Sequence, residues 1–297
     1  MSRFRAYILT TIIFFMLNPI GSLEKKPLWV EFQEATELYY TGHFQEALDY
    51  FIEVTKGDRP FPEAEYMIGL LYLEEGELRI AESQIKKAIS LSVYLEVPED
   101  LLDYKYSLAN IFLLKDDYDN YVNILKDIIG GDEINLDDIR DQKAYFDTLV
   151  NSGINRLLLL YRAKADNIIN ARILLGYYYN SIGEYKKAIS YLLTPTIAFI
   201  SEVVSDNALK DREYSFVSLE LFFKEISDNK RVLEYYKDNG FFKLMYYLGE
   251  SLLGIEKKAE AIEVWTLLAN SGIDSMWVKK SKKQLLNPKL ENWKIVY

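Results

Sequence analysis

Few side chains in this 297-residue chain are equipped for chemistry. His43 is its only histidine and cysteine is absent, so metal sites or catalytic triads built on imidazole or thiolate lack their parts. Carboxylates are plentiful, with adjacent acids at Glu74–Glu75, Asp116–Asp117 and Asp137–Asp138. Such pairs can serve glycosidase-type acid–base chemistry or hold a divalent cation. Here they fall at expected helix starts and turns, where carboxylates cap orphan amides, and that role is the expectation. Gly130–Gly131 lacks the Lys-Ser/Thr pair of a phosphate cradle. Ser152 precedes a glycine but has neither strand–turn–helix context nor an available histidine. The stretch Pro195–Asn239 gathers Glu202, Asp206, Asp211 and Glu213 without a base or nucleophile beside them. The chemistry-bearing residues predict no catalytic site, no metal and no cofactor.

The elements that position these residues are helices. Apolar residues recur near every 3.6 positions, and two segments superpose at an offset of 34 residues. Gly42 aligns with Gly76, Phe44 with Leu78, Ala47 with Ala81, Phe51 with Ile85 and Val54 with Ala88. Glycine supplies the turn between two helices, alanine lets them approach, and the larger side chains fill the space beside the contact. The unit beginning at Pro62 is the clearest, with Ile68, Gly69 and Tyr72 before its turn. The unit from Trp29 to Gly57 has Ala35 at the small position. A third unit follows an insertion near Val93–Pro98 and carries Leu108, Ala109 and Phe112, with Tyr121 replacing the small alanine. Further matches run from Ile169 to Thr194 (Leu175, Gly176, Tyr179, Gly183, Ala188, Leu192) and from Phe242 onward (Leu248, Gly249, Leu252, Ala261, Trp265, Leu268). Residues 135–168 read as two helices without the pattern, and Pro195–Asn239 as helical with the pattern lost. Ser275 to Leu286 reads as a polar capping helix that ends before Asn287–Pro288. Asn-Ser-Gly-Ile occurs at Asn151 and Asn270, each a helix stop.

This order of residues resembles the tetratricopeptide repeat family, over about 28 to 130 and 169 to 270. The resemblance implies an all-α fold, an α-α superhelix of about six to seven helix pairs, some degenerate. The expected organisation is a leader at 1–22, repeats at 28–130, a degenerate pair at 131–168, and repeats with the capping helix at 169–297. The resemblance also implies a non-catalytic scaffold or adaptor for protein partners, because such repeats hold other proteins. A fixed structural subunit of a large periplasmic assembly is the alternative, such as a flagellar motor collar or an outer-membrane assembly complex.

In that family certain positions of the first helix of each pair face a concave groove. The first such position holds Phe32, Tyr66, Tyr106, Ile173 and Tyr246. Four residues later come Thr36, Leu70, Asn110, Tyr177 and Glu250, and seven residues later Tyr39, Leu73, Leu113, Asn180 and Leu253. The candidate partner groove is therefore Phe32, Tyr39, Tyr66, Leu70, Leu73, Tyr106, Tyr177 and Tyr246, an aromatic and aliphatic trough for an extended peptide or a helix. The other outcome is that degenerate repeats fold on themselves and these rings become core. Members that clamp a C-terminal carboxylate use Lys and Asn at such sites, and the absence of any Lys from these positions disfavours that mode here.

Arg3 and Arg5, an apolar run from Ala6 to Leu17 and the small-residue end Gly21–Ser22 describe a secretory signal peptide or, if uncleaved, an N-terminal anchor. The body is then expected outside the cytoplasm, in the periplasm or cell envelope, with membrane contact only through an uncleaved leader. The net charge of −10 disfavours nucleic acid and anionic lipid. Composition is silent on oligomeric state.

Overall fold

The computed structural model describes residues 26–130 and 140–291. The leader at 1–22, the Asp137–Asp138 pair and Gly131 lie outside the described residues. The described chain is all-helical and divides into two compact units, the first ending at Asp117 and the second beginning at Tyr118. The division falls inside the 28–130 stretch.

The first unit contains α1 (Leu28–Tyr40), α2 (Phe44–Thr55), α3 (Pro62–Glu74), α4 (Leu78–Ser90) and α5 (Asp100–Leu114). The expected register holds within both helix pairs, α1–α2 and α3–α4. Ala35, Ala47 and Phe51 are wholly buried between α1 and α2, as are Ala81 and Ile85 between α3 and α4. A Cβ on Gly69 would sit 2.6 Å from Ile85 Cγ1, so the small residue sets the helix spacing. Residues 93–98, the insertion, hold the end of a short 3₁₀ turn (Ser92–Tyr94) and the loop into α5.

The second unit contains α6 (Tyr118–Ile128), α7 (Arg140–Leu160), α8 (Ile169–Ser181), α9 (Tyr185–Lys210), α10 (Leu219–Asp228), α11 (Lys230–Asp238), α12 (Phe241–Gly254), α13 (Lys258–Asn270) and α14 (Met276–Leu286). Two pairs keep the signature. Gly176 meets Leu192 and Gly249 meets Trp265, whose indole Nε1 donates to the Tyr246 carbonyl at 3.2 Å. Around them the chain departs from a simple stack. α9 packs directly on α12, so α10 and α11 form an insertion beside that contact. α7 packs on α9 and also on α13, more than a hundred residues later. In an open repeat array each pair touches only its neighbours, so this unit closes on itself.

The turns show how the repeat is encoded. Gly42, Gly76 and Gly183 take φ of +81°, +79° and +81°, and the next amide donates back to Leu38, Tyr72 and Tyr179 carbonyls at 2.9 Å. This is the Schellman closure that favours glycine. Asp116 after α5 (φ 55°) and Glu256 after α12 (φ 65°) make the same turn without glycine. Their following amides reach Phe112 O at 2.8 Å and Leu252 O at 2.9 Å. Of the N-termini outside these turns, α10, α11 and α14 are capped instead by Ser218, Asn229 and Ser275.

One sequence boundary shifts: the match from Ile169 to Thr194 ends inside a helix, because α9 runs through Pro195 to Lys210. The lost hydrogen bond is outweighed by wholly or nearly buried Ile197, Ala198, Phe199 and Ile200 beyond it. α9 is long and apolar enough to cross a membrane, but it is mostly buried within its unit. Gly153 breaks α7 (φ 79°, ψ 174°), and Gly272 turns the chain after α13 (φ +74°), so both Asn-Ser-Gly sites are helix stops.

Candidate protein-binding face

The groove positions meet opposite fates in the two units. In the first, Thr36, Tyr39, Tyr66, Leu70, Leu73 and Tyr106 are half-buried and Asn110 is exposed. Phe32 is half-buried too, but its ring lies against Phe51 and Phe61 at 5.5 and 5.0 Å, so it serves the core edge. Leu113 is buried. Tyr66 is fixed firmly: it stacks on Tyr104 with centroids 4.0 Å apart, and its hydroxyl pairs with Ser107 Oγ at 2.9 Å. Tyr39 packs against Tyr40 and Phe44.

In the second unit Tyr177 and Tyr246, expected to line the groove, are core residues, 7% and 0% exposed. Ile173, Asn180 and Glu250 at the neighbouring positions are buried as well. Tyr177 is covered by Tyr247 and by the Lys243 ammonium at 4.6 Å from its ring. Asn180 donates to Ser251 Oγ at 2.8 Å. Trp277 lies on Tyr246 at 5.5 Å, and Gln284 Nε2 donates to the Tyr246 hydroxyl at 3.0 Å. Here the chain folds on itself, and these two residues drop out of the groove.

What covers Tyr246 and Glu250 is the chain's own end. Beyond α14 the backbone is non-helical, and Gln284 brackets it. Its Oε1 accepts from Lys289 N and its Nε2 donates to Lys289 O, both at 2.9 Å. Glu291 N then donates to Glu250 Oε1 at 2.7 Å, while Glu250 Oε2 is buried without a hydrogen-bond partner. Burial pushes the Glu250 carboxyl up to about 7, with the Glu291 charge adding to it and the Glu291 amide and Lys280 opposing.

Electrostatics single out the open face of the first unit. Glu63 lies three residues before Tyr66 and Glu74 eight after it, which places both on the Tyr66–Leu70–Leu73 side of α3. Asp103 holds the corresponding place before Tyr106 on α5. Burial, and then the Glu74 charge, raises the Tyr39 hydroxyl above its ordinary range. Burial also raises Tyr66, with the charges of Asp103 and Asp100 adding to it. Glu74 and Glu75 stand at the turn after α3, as their place before Gly76 implies, but this is a helix C-terminus, where the orphan groups are carbonyls and a carboxylate caps nothing. A carboxylate is unfavourable there by about 0.3–1 kcal/mol, and no Lys or Arg lies in that last turn. The spacing of Glu74 from Tyr66 is the signal that places it on the face.

The other chemistry-bearing residues are structural. His43 Nδ1 lies 3.0 Å from Thr41 Oγ1 in the exposed α1–α2 turn. In the divergent stretch Glu202 accepts from the Tyr235 hydroxyl, and Asp211 accepts from Glu213 N at 2.9 Å. Among the described residues no three His, Cys, Asp or Glu are grouped to hold a metal.

No family model matches the chain. An uncharacterized protein of Borreliella burgdorferi is 19% identical, over 94% of this chain and 97% of its own length. Among solved structures, YrrB, described as a TPR protein with an unusual peptide-binding site, is similar at TM-score 0.48. It is 15% identical, covering 88% of this chain and 94% of that one. MamA is similar at TM-score 0.43 and 15% identity, covering 89% and 97%. The helix-pair fold itself stands on the seams and turns of this chain, which are tetratricopeptide-like throughout the recognisable units.

Proposed function

We propose that the protein is a non-catalytic scaffold that holds a protein partner on the open face of its first unit, and that it does so in the cell envelope. The observation that carries this reading is the half-buried Tyr39, Tyr66, Leu70 and Leu73 on the first helices of consecutive pairs, with Tyr66 fixed by its stack on Tyr104 and its bond to Ser107. Aromatic side chains held in one rotamer give contact area at low entropic cost, which suits a recognition surface. The envelope assignment rests on the leader-like sequence at 1–22.

A photo-crosslinking amino acid at Leu70, activated in living cells and read by mass spectrometry, tests the face. A defined partner segment attached at Leu70, and none from the same probe at exposed Glu46 on α2, is the expected result. Equal yields at both positions would remove the face from consideration. Fractionation with N-terminal sequencing tests the compartment and whether the leader is cut. A constant stoichiometry in a large sedimenting particle would identify a fixed structural subunit instead of an exchanging adaptor.

A further inference from the structure

Charge is divided very unevenly along the chain. Residues 26–117 carry 19 Asp and Glu against 8 Lys and Arg, whereas residues 118–297 carry 25 against 24. Most lysines of the first unit are already engaged: Lys26 with Glu34, Lys56 with Glu53, Lys87 with Glu65, and Lys86 and Lys115 both with Glu82. The excess of negative charge includes Glu74 and Asp103, whose charges act on Tyr39 and Tyr66, and Glu63 on the same side of α3, whose Oε1 accepts from Glu96 N at 2.9 Å. Carboxylates interleaved with tyrosine rings are the surroundings that favour an ammonium or guanidinium group.

The second unit shows what form of chain these helix positions accept. There Glu250 receives a backbone amide from the non-helical stretch after α14, and Tyr246 pairs with Gln284 of α14, which itself brackets Lys289 of that stretch. Asn110 on α5 is the exposed counterpart of Glu250, beside Tyr106 in the place of Tyr246. Its side chain can both accept from and donate to an extended backbone.

We propose that the open face of the first unit binds an extended, lysine- or arginine-bearing segment of its protein partner. The cationic side chains seat between Glu63, Glu74 and Asp103 against Tyr39 and Tyr66. This inference rests on the scaffold reading above and names the partner's chemistry. Electrostatic steering makes the association strongly salt-dependent.

The test uses the full-length chain and three fluorescein-labelled ten-residue probes, alternating Ser with Lys, Gln or Glu, titrated by fluorescence anisotropy. The Lys probe is expected to bind at least tenfold more tightly than the Gln probe, and the Glu probe weakest. E74Q/D103N should weaken the Lys probe about tenfold, and Asn110→Leu about threefold. E46Q/D49N removes the same charge from the exposed side of α2 and should change binding less than twofold. Equal losses in the two double variants would mean a diffuse field and overturn the proposal, as would equal binding of Lys and Gln probes. If the Leu70 crosslink captures a neutral or acidic segment, the cationic preference falls and the scaffold reading stands. If it captures nothing specific, the scaffold reading itself falls.

Discussion

The two units use one grammar for different ends. Both place Gly or Ala against a large apolar residue in the pairs that keep the signature, and both close those turns with a left-handed residue. Their groove positions nevertheless diverge: Tyr66 presents a rigid half-open ring, whereas Tyr246, its counterpart, is wholly buried under Trp277 and Gln284. The repeat signature therefore governs how a pair packs internally and leaves the outward positions to whatever else the chain supplies. In the second unit that supply is large, namely the doubled-back α7, the α10–α11 insertion and the stretch after α14.

The sharpest way to break this contrast is a pair of truncations. Tyr246→Ala should cost about 3–5 kcal/mol, as for a fully buried aromatic, while Tyr66→Ala should cost about 1–2 and fall mainly on partner binding. Denaturant unfolding of both variants checks this, and equal losses would mean the two faces are alike. A second contrast lies in the seams. Gly249→Ala places a Cβ 2.6 Å from Trp265 Nε1, part of a rigid buried indole, and should cost about 2–3 kcal/mol. Gly69→Ala meets Ile85 Cγ1, a single aliphatic branch in place of a fused ring, and should cost about 1–2. Reversal of that order would show that the last seam is looser than its geometry.

The pH dependence should belong to the second unit. Glu250 holds its proton up to about pH 7 in the folded chain, above the ordinary carboxylate range of the unfolded one. Between those limits the folded state binds more protons, so stability is full at low pH and declines as pH rises to about 7, by up to about 3 kcal/mol. Tyr185 and Tyr247 lie close enough to feel its charge, and Lys280 and Glu291 act on it in opposite senses. Glu250→Gln should flatten the curve of melting midpoint against pH; an unchanged slope would assign it to another group. The smallest effect concerns the turns. Asp116→Gly and Glu256→Gly should each stabilise by about 0.5–1 kcal/mol, because a side chain is strained at positive φ. Two unaltered midpoints would show that these side chains repay the strain locally.

The helix pairs were legible because their signature is local: a small residue, a glycine turn and a fixed offset sit within one repeat. The candidate face was legible only in part. Its tyrosines followed from alignment, but whether each is open depends on segments distant in sequence. Nothing near Tyr246 announces Gln284, and nothing near Tyr177 announces Lys243. The length of α9 was hidden for a related reason, since the burial of Ile197 through Ile200 carries the helix through Pro195 where the repeat pattern is already lost. Glu74 was legible as an acid before the Gly76 turn, but its nearness to Tyr39 on another helix was not.

The packing of α7 on α13 has a consequence for biosynthesis. Asn155 and Glu263 are 108 residues apart and Val150 and Lys257 are 107, so α7 emerges long before its partner has been translated. Until then Leu149, Ile154, Leu157 and Leu158, all but wholly buried in the finished fold, have only part of their cover. The first unit can fold as soon as α5 is made, because its seams join neighbouring helices. The second must wait for nearly the whole chain, and in that interval α7 is the segment a chaperone would need to shield.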